Sequence, residues 1–174
     1  MTDRPLRIGV GAGFADDRIA PAVDMAKGGT VDWLVFECLA ERTVGRENLT
    51  RQKNPEKGYN PWLEQRMEAV LAHCLDHGTR IVTNMGAANP AGAARATRRI
   101  AADMGLGDVP CAVVQGDDVA DLVRTLPHLK LLESGEPLES ILPRMASANA
   151  YLGADAICQA LAAKTPVTIT CLLY

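Results

Sequence analysis

Four polar segments, each following a β-prone run, carry the side chains with which this chain could do chemistry. Glu37 sits in the apolar run VDWLVFECLA (residues 31–40). A carboxylate in such surroundings has to be paired, hydrogen-bonded or raised in pKa, conditions that suit a general acid or base. Its purely structural alternative is an ion pair with Arg42 or another Arg. Asp117, in Gln115-Gly116-Asp117-Asp118, is the second candidate for proton transfer, while Asp118 suits the N-cap of the helix that follows. In the segment NMGAANP, Asn84, Gly86 and Asn89 offer two amides, a flexible glycine and a helix N-terminus to a carboxylate, carbonyl or phosphate. Asn89 could equally cap that helix, and Asn84 could tie down the loop. In the first segment, Gly9, Gly11 and Gly13 precede Asp16, Asp17 and Arg18. These glycines would let backbone N–H groups approach an anion beside Arg18; they serve a tight turn with close packing equally well.

Several chemistries lose ground on spacing alone. The dinucleotide fingerprint G-x-G-x-x-G is not met, because Phe14 stands where the third glycine belongs, and Asp16 and Asp17 would lie beside a pyrophosphate. Glu37 falls near the place of a ribose-binding acid, which keeps a dinucleotide-binding oxidoreductase domain as an alternative. Asp117 and Asp118 have no further ligands at cation-binding spacing. His73 and His77 are four apart on one helix without a third ligand, so no metal is expected there. There is no G-x-S-x-G elbow, Walker loop or Cys-His pairing, and no cofactor is assigned.

The elements that must position these residues alternate along the chain. The runs RIGVGAGF (7–14), 31–40, RIVTNM (80–85), PCAVVQ (110–115) and 167–173 read as strands. Helices are expected over about 17–27, 60–77, 89–104, 118–126 and 148–163. The most secure is 60–77, with Leu63, Met67, Val70, Leu71, Cys74 and Leu75 on one stripe between a Pro61 start and a Gly78 stop. The nearly continuous apolar character of 31–40 suits a strand covered on both faces. Residues 41–61 have no sustained period, mixed charge and two prolines, and read as a long loop of the kind that forms lids or binds partners. The expected fold is α/β, a doubly wound, mostly parallel five-stranded sheet with helices on both faces (Rossmann-like); a partial (β/α) barrel is the alternative. In either, ligands sit at the carboxyl ends of the strands.

At 174 residues one domain is expected. A net charge of -3, without a dense basic stretch, argues against nucleic acid. The N-terminus has no apolar h-region, and no apolar run approaches the roughly 20 residues of a membrane helix. Five widely spaced cysteines without a C-x-x-C read as reduced thiols, so a soluble, cytoplasmic protein is expected. Aromatic residues make up only 4% while alanine is abundant, so the core must be built from small aliphatic side chains with helices close to the sheet.

The blocks IGVGAGFADDRI, DWLVFECLAERT, IVTNMGAANP and VVQGDD, with SANAYLGADAI further on, resemble the acyclic terpene utilisation (AtuA-like) family over about residues 7–163. The resemblance implies a role in breakdown of acyclic terpenes and branched acids, whose intermediates travel as coenzyme A thioesters. It adds Arg42 and Asn149 to the binding residues and marks Glu41, Gly116, Tyr151 and Gly153 as signature positions. It also implies that relatives continue past the Ala-rich helix with a strand, a Gly-Arg block and a long further stretch. This chain stops at AAKTPVTITCLLY, so it is expected to be an N-terminal portion of a longer architecture. The functional expectation is therefore a small-molecule domain for an acyl thioester or carboxylate. Glu37 or Asp117 would move the proton, and Gly11, Gly13, Arg18, Arg42, Asn84, Gly86, Asn89, Asp118 and Asn149 would bind. A non-catalytic subunit that needs a partner, or a homo-oligomer, is the alternative from a different class.

Overall fold

The computed structural model describes residues 4–172. The chain runs β1 (Ile8–Ala12), α1 (Ala20–Gly28), β2 (Trp33–Phe36), α2 (Glu41–Lys53), α3 (Leu63–His77), β3 (Arg80–Thr83), α4 (Pro90–Asp103), β4 (Cys111–Val113), α5 (Ala120–Arg124), two 3-10 turns (Leu138–Ser140 and Leu142–Arg144), α6 (Asp155–Ala162) and β5 (Val167–Ile169). The five strands form one sheet in the order β1-β2-β3-β5-β4, and every pairing is parallel. This is the expected α/β architecture, with strands and helices trimmed by a few residues at their ends.

Strand order and handedness decide where the helices lie. The steps β1→β2, β2→β3 and β3→β4 all move one way across the sheet, so right-handed crossovers put α1, α3 and α4 on the same face. Those helices pack side by side, α1 on α3 and α3 on α4. The step β4→β5 moves back, which puts α6 on the opposite face, against β5.

The core lies under the first face. Leu34, Phe36, Ile81, Val167 and Ile169 point down from the sheet onto the predicted α3 stripe, and each is at most 1% exposed. Burying each such side chain contributes roughly 1.5–3 kcal/mol. Small residues bring the layers together: Ala22, Ala26, Ala93 and Ala101 are fully buried. At Gly11 a Cβ would stand 2.6 Å from the Phe36 ring, so the glycine is required by packing.

The other face is only part covered. Val10, Val35, Val82, Thr168 and Ala112 form one in-register row across it. Thr168 is fully buried, yet Val10 is 65% exposed and Val35 and Val82 are half-buried. The expectation that the second strand is covered on both faces is therefore corrected: it alternates, with Leu34 and Phe36 inside and Trp33 and Val35 partly open. The apolar run of 31–40 looked continuous because it joins a four-residue strand to the buried strand-end turn of Cys38 and Leu39.

Residues 41–61 are not a long loop, which is the main correction to the sequence reading. Thirteen of them form α2. Its inward face is Thr43, Val44, Glu47 and Asn48, a helical spacing written mostly in polar residues, so no hydrophobic period marks it. Thr43 Oγ1 accepts the Ala40 N–H at its start, and Asn54, extended ahead of Pro55, ends it. Val44 packs with Leu39, Ala87 and Leu172, seating α2 across the carboxyl ends of β2, β3 and β5.

Candidate functional site

Two groups of polar side chains occupy that edge. The first lies at the ends of β1, β2 and β3. Glu37 follows β2 directly and is exposed; its Oε1 accepts Asn84 Nδ2 at 2.9 Å and the Leu39 N–H at 3.2 Å. Asn84 Oδ1 accepts the Cys38 N–H at 2.7 Å, so the amide locks the turn that carries Glu37. Glu37 is thus hydrogen-bonded to Asn84; among the described residues it makes no ion pair with Arg42, which is exposed in the first turn of α2.

In the β1–α1 loop, Asp17 Oδ2 accepts the Gly13 N–H at 3.0 Å and Oδ1 accepts the N–H of Arg18 at 2.8 Å. The Gly13 N–H, before the other contacts, holds the Asp17 carboxyl below its usual range. An anion at this loop would have to displace Asp17. The Arg18 side chain is exposed.

Arg66 of α3 lies beneath this loop, fully buried and without a carboxylate partner among the described residues. It donates to the Asp17 carbonyl at 2.8 Å and the Ala15 carbonyl at 3.1 Å, and its Nη1 stands 3.1 Å from Cys38 Sγ. Among the described residues its Nε has no hydrogen-bond partner. Burial still pushes the Cys38 thiol up to about 11, against the pull of Arg66, so at neutral pH it is a protonated core group.

The second group surrounds a cavity of about 230 Å³ at the ends of β3 and β4, lined among others by Asn48, Arg51, Asn89, Asp117, Asp118 and Asn149. Asp117 is 6% exposed; its Oδ2 accepts Asn149 Nδ2 at 2.9 Å and the Leu172 N–H at 3.3 Å. Asn149 is held by a bridge to Asp118 and takes a hydrogen bond from Asn48 Nδ2 at 3.1 Å. Arg51 donates to the Ala88 carbonyl at 2.6 Å through Nη1. Asn89 caps α4, the structural alternative for it, accepting the Gly92 N–H at 3.0 Å, and its Nδ2 donates to the carbonyls of Pro55 and Lys57. Gly86 lies where a Cβ would meet the Thr170 carbonyl at 2.5 Å. Ala87, between them, holds φ at +46°, a strained value for a residue with a side chain.

Topology accounts for a crevice at this place. The chain leaving β3 enters α4 on one face and the chain leaving β4 returns through α6 on the other, so the loops diverge above β5. A wider groove of about 800 Å³ shares Asn48, Arg51 and Asp118 with the cavity and runs between α2 and α5.

Asn89, Asp117, Asp118 and Asn149 therefore line one cavity, and Glu37 pairs with Asn84 at neighbouring strand ends. Gly11, Gly13 and Arg18 stay with the β1 end. Asn149 lies outside any helix, since the expected helix from 148 begins only at Asp155. Asn48, Arg51 and Arg66 escaped the sequence reading; for the first two the only signal was polar residues at helical spacing. Glu41 and Tyr151 are also in contact, the Tyr151 hydroxyl donating to the carboxylate and holding it below its usual range. Among the described residues no group of His, Cys, Asp or Glu could hold a metal ion, and no helix is long and apolar enough to cross a membrane.

Fold and cavity define a parallel α/β protein with a polar, acid-containing crevice at its topological switch point. The chain belongs to the acyclic terpene utilisation family: the model described as acyclic terpene utilisation family protein AtuA matches residues 6–171. No curated protein and no solved structure matches it.

Proposed function

We propose that the chain binds an acyl thioester or a branched carboxylic acid of acyclic-terpene breakdown in the cavity between β3 and β4, with Asp117 as the proton-transfer group. The observation that carries this reading is a nearly buried carboxylate whose neighbours in one cavity are Asn149, Asn48 and Arg51. Asp117 would take a proton from the carbon next to the carbonyl. Arg51 makes one hydrogen bond through Nη1, and its other N–H groups, with the second amide proton of Asn149, would hold the oxygen that becomes negative. The wider groove between α2 and α5 gives a long thioester arm a path to solvent. Glu37, hydrogen-bonded to Asn84, would be the second proton-transfer candidate at the same sheet edge.

The test combines binding with proton exchange. Coenzyme A thioesters of short branched acids should raise the melting temperature, and NMR in D2O should record deuterium entering the carbon beside the carbonyl. Asp117→Asn should keep the fold and abolish exchange, and Arg51→Ala should weaken binding at least about tenfold, the loss of one charge-assisted contact. If Asp117→Asn exchanges at the wild-type rate, the proton transfer lies elsewhere, and Glu37→Gln is the next variant. A second reading, a subunit completed by another chain, is favoured by the half-open second face of the sheet.

A further inference from the structure

Parallel sheets are ordinarily covered on both faces, because their strands are apolar on both. Here α6 covers only the β5 side. On the β1–β3 side Ile8 is 59% and Val10 65% exposed, with Leu6 at 65% just before them. At the amino end of the same face the surface becomes basic. Arg4, Arg7 and Arg80 line a cavity of about 500 Å³ with Trp33. Asp32 pairs with Arg4 and Arg7, while Arg80 lies over the Trp33 ring at 5.0 Å with no acid partner among the described residues. An apolar centre with a basic end calls for a partner that is apolar with acidic flanks.

The chain itself presents such a feature. Leu131 N–H donates to the Glu136 carbonyl at 2.8 Å, Gly135 N–H to the Leu131 carbonyl at 2.8 Å and Leu138 N–H to the Leu129 carbonyl at 2.7 Å. Lys130 and Pro137 form an antiparallel bridge, so residues 129–138 make a closed hairpin. Near its tip Leu132 is 95% exposed, and Leu129 is 44% exposed. Glu133, Glu136 and Glu139 surround them, all exposed and without an ion pair among the described residues.

We infer that this hairpin docks on the half-open sheet face of a second copy of the chain, in a two-fold dimer. Leu132 seats on the Val10 side of the sheet, and the glutamates face Arg4, Arg7 and Arg80. In a two-fold pair each copy both gives and receives a hairpin, so the contact closes and does not propagate. The inference rests on the second reading above and is independent of the ligand cavity, which contains none of these residues.

Light scattering coupled to size exclusion, over a concentration series, should give a species of twice the 18.6 kDa chain mass. It should dissociate more readily at high salt. Leu132→Asp, at a site too exposed to affect folding, should weaken the dimer roughly tenfold or more, as should Arg80→Glu. Combining Arg80→Glu with Glu133→Arg and Glu136→Arg should recover much of the loss. A monomer at all concentrations, or a dimer indifferent to Leu132→Asp, overturns the inference. Thioester-induced stabilisation measured on the same Leu132→Asp sample reads the cavity separately: its retention with loss of the dimer supports both ideas, and its absence in wild-type protein sinks only the ligand reading.

Discussion

Arg66 offers a calculation in which two large effects oppose each other. Its guanidinium is fully buried with no carboxylate partner among the described residues, and burying a charge costs several kcal/mol. Against this stand charge-assisted hydrogen bonds to the Asp17 and Ala15 carbonyls, each contributing about 1.5–3 kcal/mol. Arg66→Met keeps most of the apolar stem and removes both the charge and the donors. Ala15 retains a donor in Asn60 Nδ2, but the Asp17 carbonyl loses the bond it takes from Arg66. One part-buried carbonyl without a partner costs about 1–3 kcal/mol, partly offset by relief of the buried charge. We expect Arg66→Met to destabilise by about 1–2 kcal/mol. Arg66→Ala also leaves a void beside Met85 and Cys38 and should cost about 3–5 kcal/mol. For a domain of this size about 1 kcal/mol moves the melting temperature by about 2–4 °C, so the two variants should separate clearly in a urea or thermal melt. Hydrogen exchange should also rise at the amides of Gly13 and Arg18, because the loop loses its anchor. A Met variant as stable as wild type would show that the buried charge costs as much as the loop bonds return, and would refute the anchoring argument.

Other expectations follow from single contacts. Gly11→Ala and Gly86→Ala should each cost more than about 2 kcal/mol, since the new methyl meets the Phe36 ring at 2.6 Å or the Thr170 carbonyl at 2.5 Å. Gly13→Ala, with nothing among the described residues nearer than Asp17 Oδ2 at 4.0 Å, should be nearly neutral; equal melting temperatures for all three would contradict the packing geometry. Burial raises the thiols of Cys38 and Cys111 to about 11 and of Cys74 and Cys171 to about 12, whereas Cys158 is exposed. Iodoacetamide at pH 8 should therefore add first and fastest at Cys158, located by peptide mapping, with half-buried Cys111 slower; rapid addition at Cys38, Cys74 or Cys171 would show that a buried thiol is reachable. Glu64 is held below its ordinary value of 4.5, first by the Tyr59 hydroxyl and then by Lys57. A depressed carboxyl contributes stability that is present above its unfolded value and is lost as pH falls through the folded one. Stability should fall below about pH 4.5, and Glu64→Gln should shallow that acid limb; an unchanged limb would count against the Tyr59–Glu64–Lys57 network.

How far the fold could be read depended on whether each element is held by apolar burial. Helix α3 was legible because Leu63, Met67, Val70, Leu71 and Cys74 repeat at helical spacing and are all buried. The strands were legible as runs, though their ends were not, since Met85 and Leu39 are buried in turns beyond the last ladder pair. Strand order was beyond local pattern. Nothing in VTI says that β5 inserts between β3 and β4, because that position is set by a crossover reversing direction over more than fifty residues. The half-open second face follows from the same reversal.

The candidate site was legible where a residue follows a strand and illegible where it comes from α2. Asp117, Asn84 and Asn89 stand immediately after apolar runs, the place where a parallel α/β sheet puts its ligands. Asn48 and Arg51 sit on a helix whose buried face is mostly polar, and hydrophobic periodicity cannot find such a helix. Its polarity has a structural cause: α2 lies across the ends of the strands, above loops rich in backbone and amide groups, with no apolar sheet face beneath it. Asn48 donates to Asn149, Gln52 to the Ala146 carbonyl and Arg51 to the Ala88 carbonyl, so each side chain meets a polar partner that an apolar residue would leave unsatisfied. The polar face of α2 thus follows from its place at the carboxyl edge of the parallel sheet, where it walls the candidate cavity. In this chain, residues 43, 44, 47 and 48 at helical intervals mark the inward face of that helix, and of them Asn48 lines the cavity.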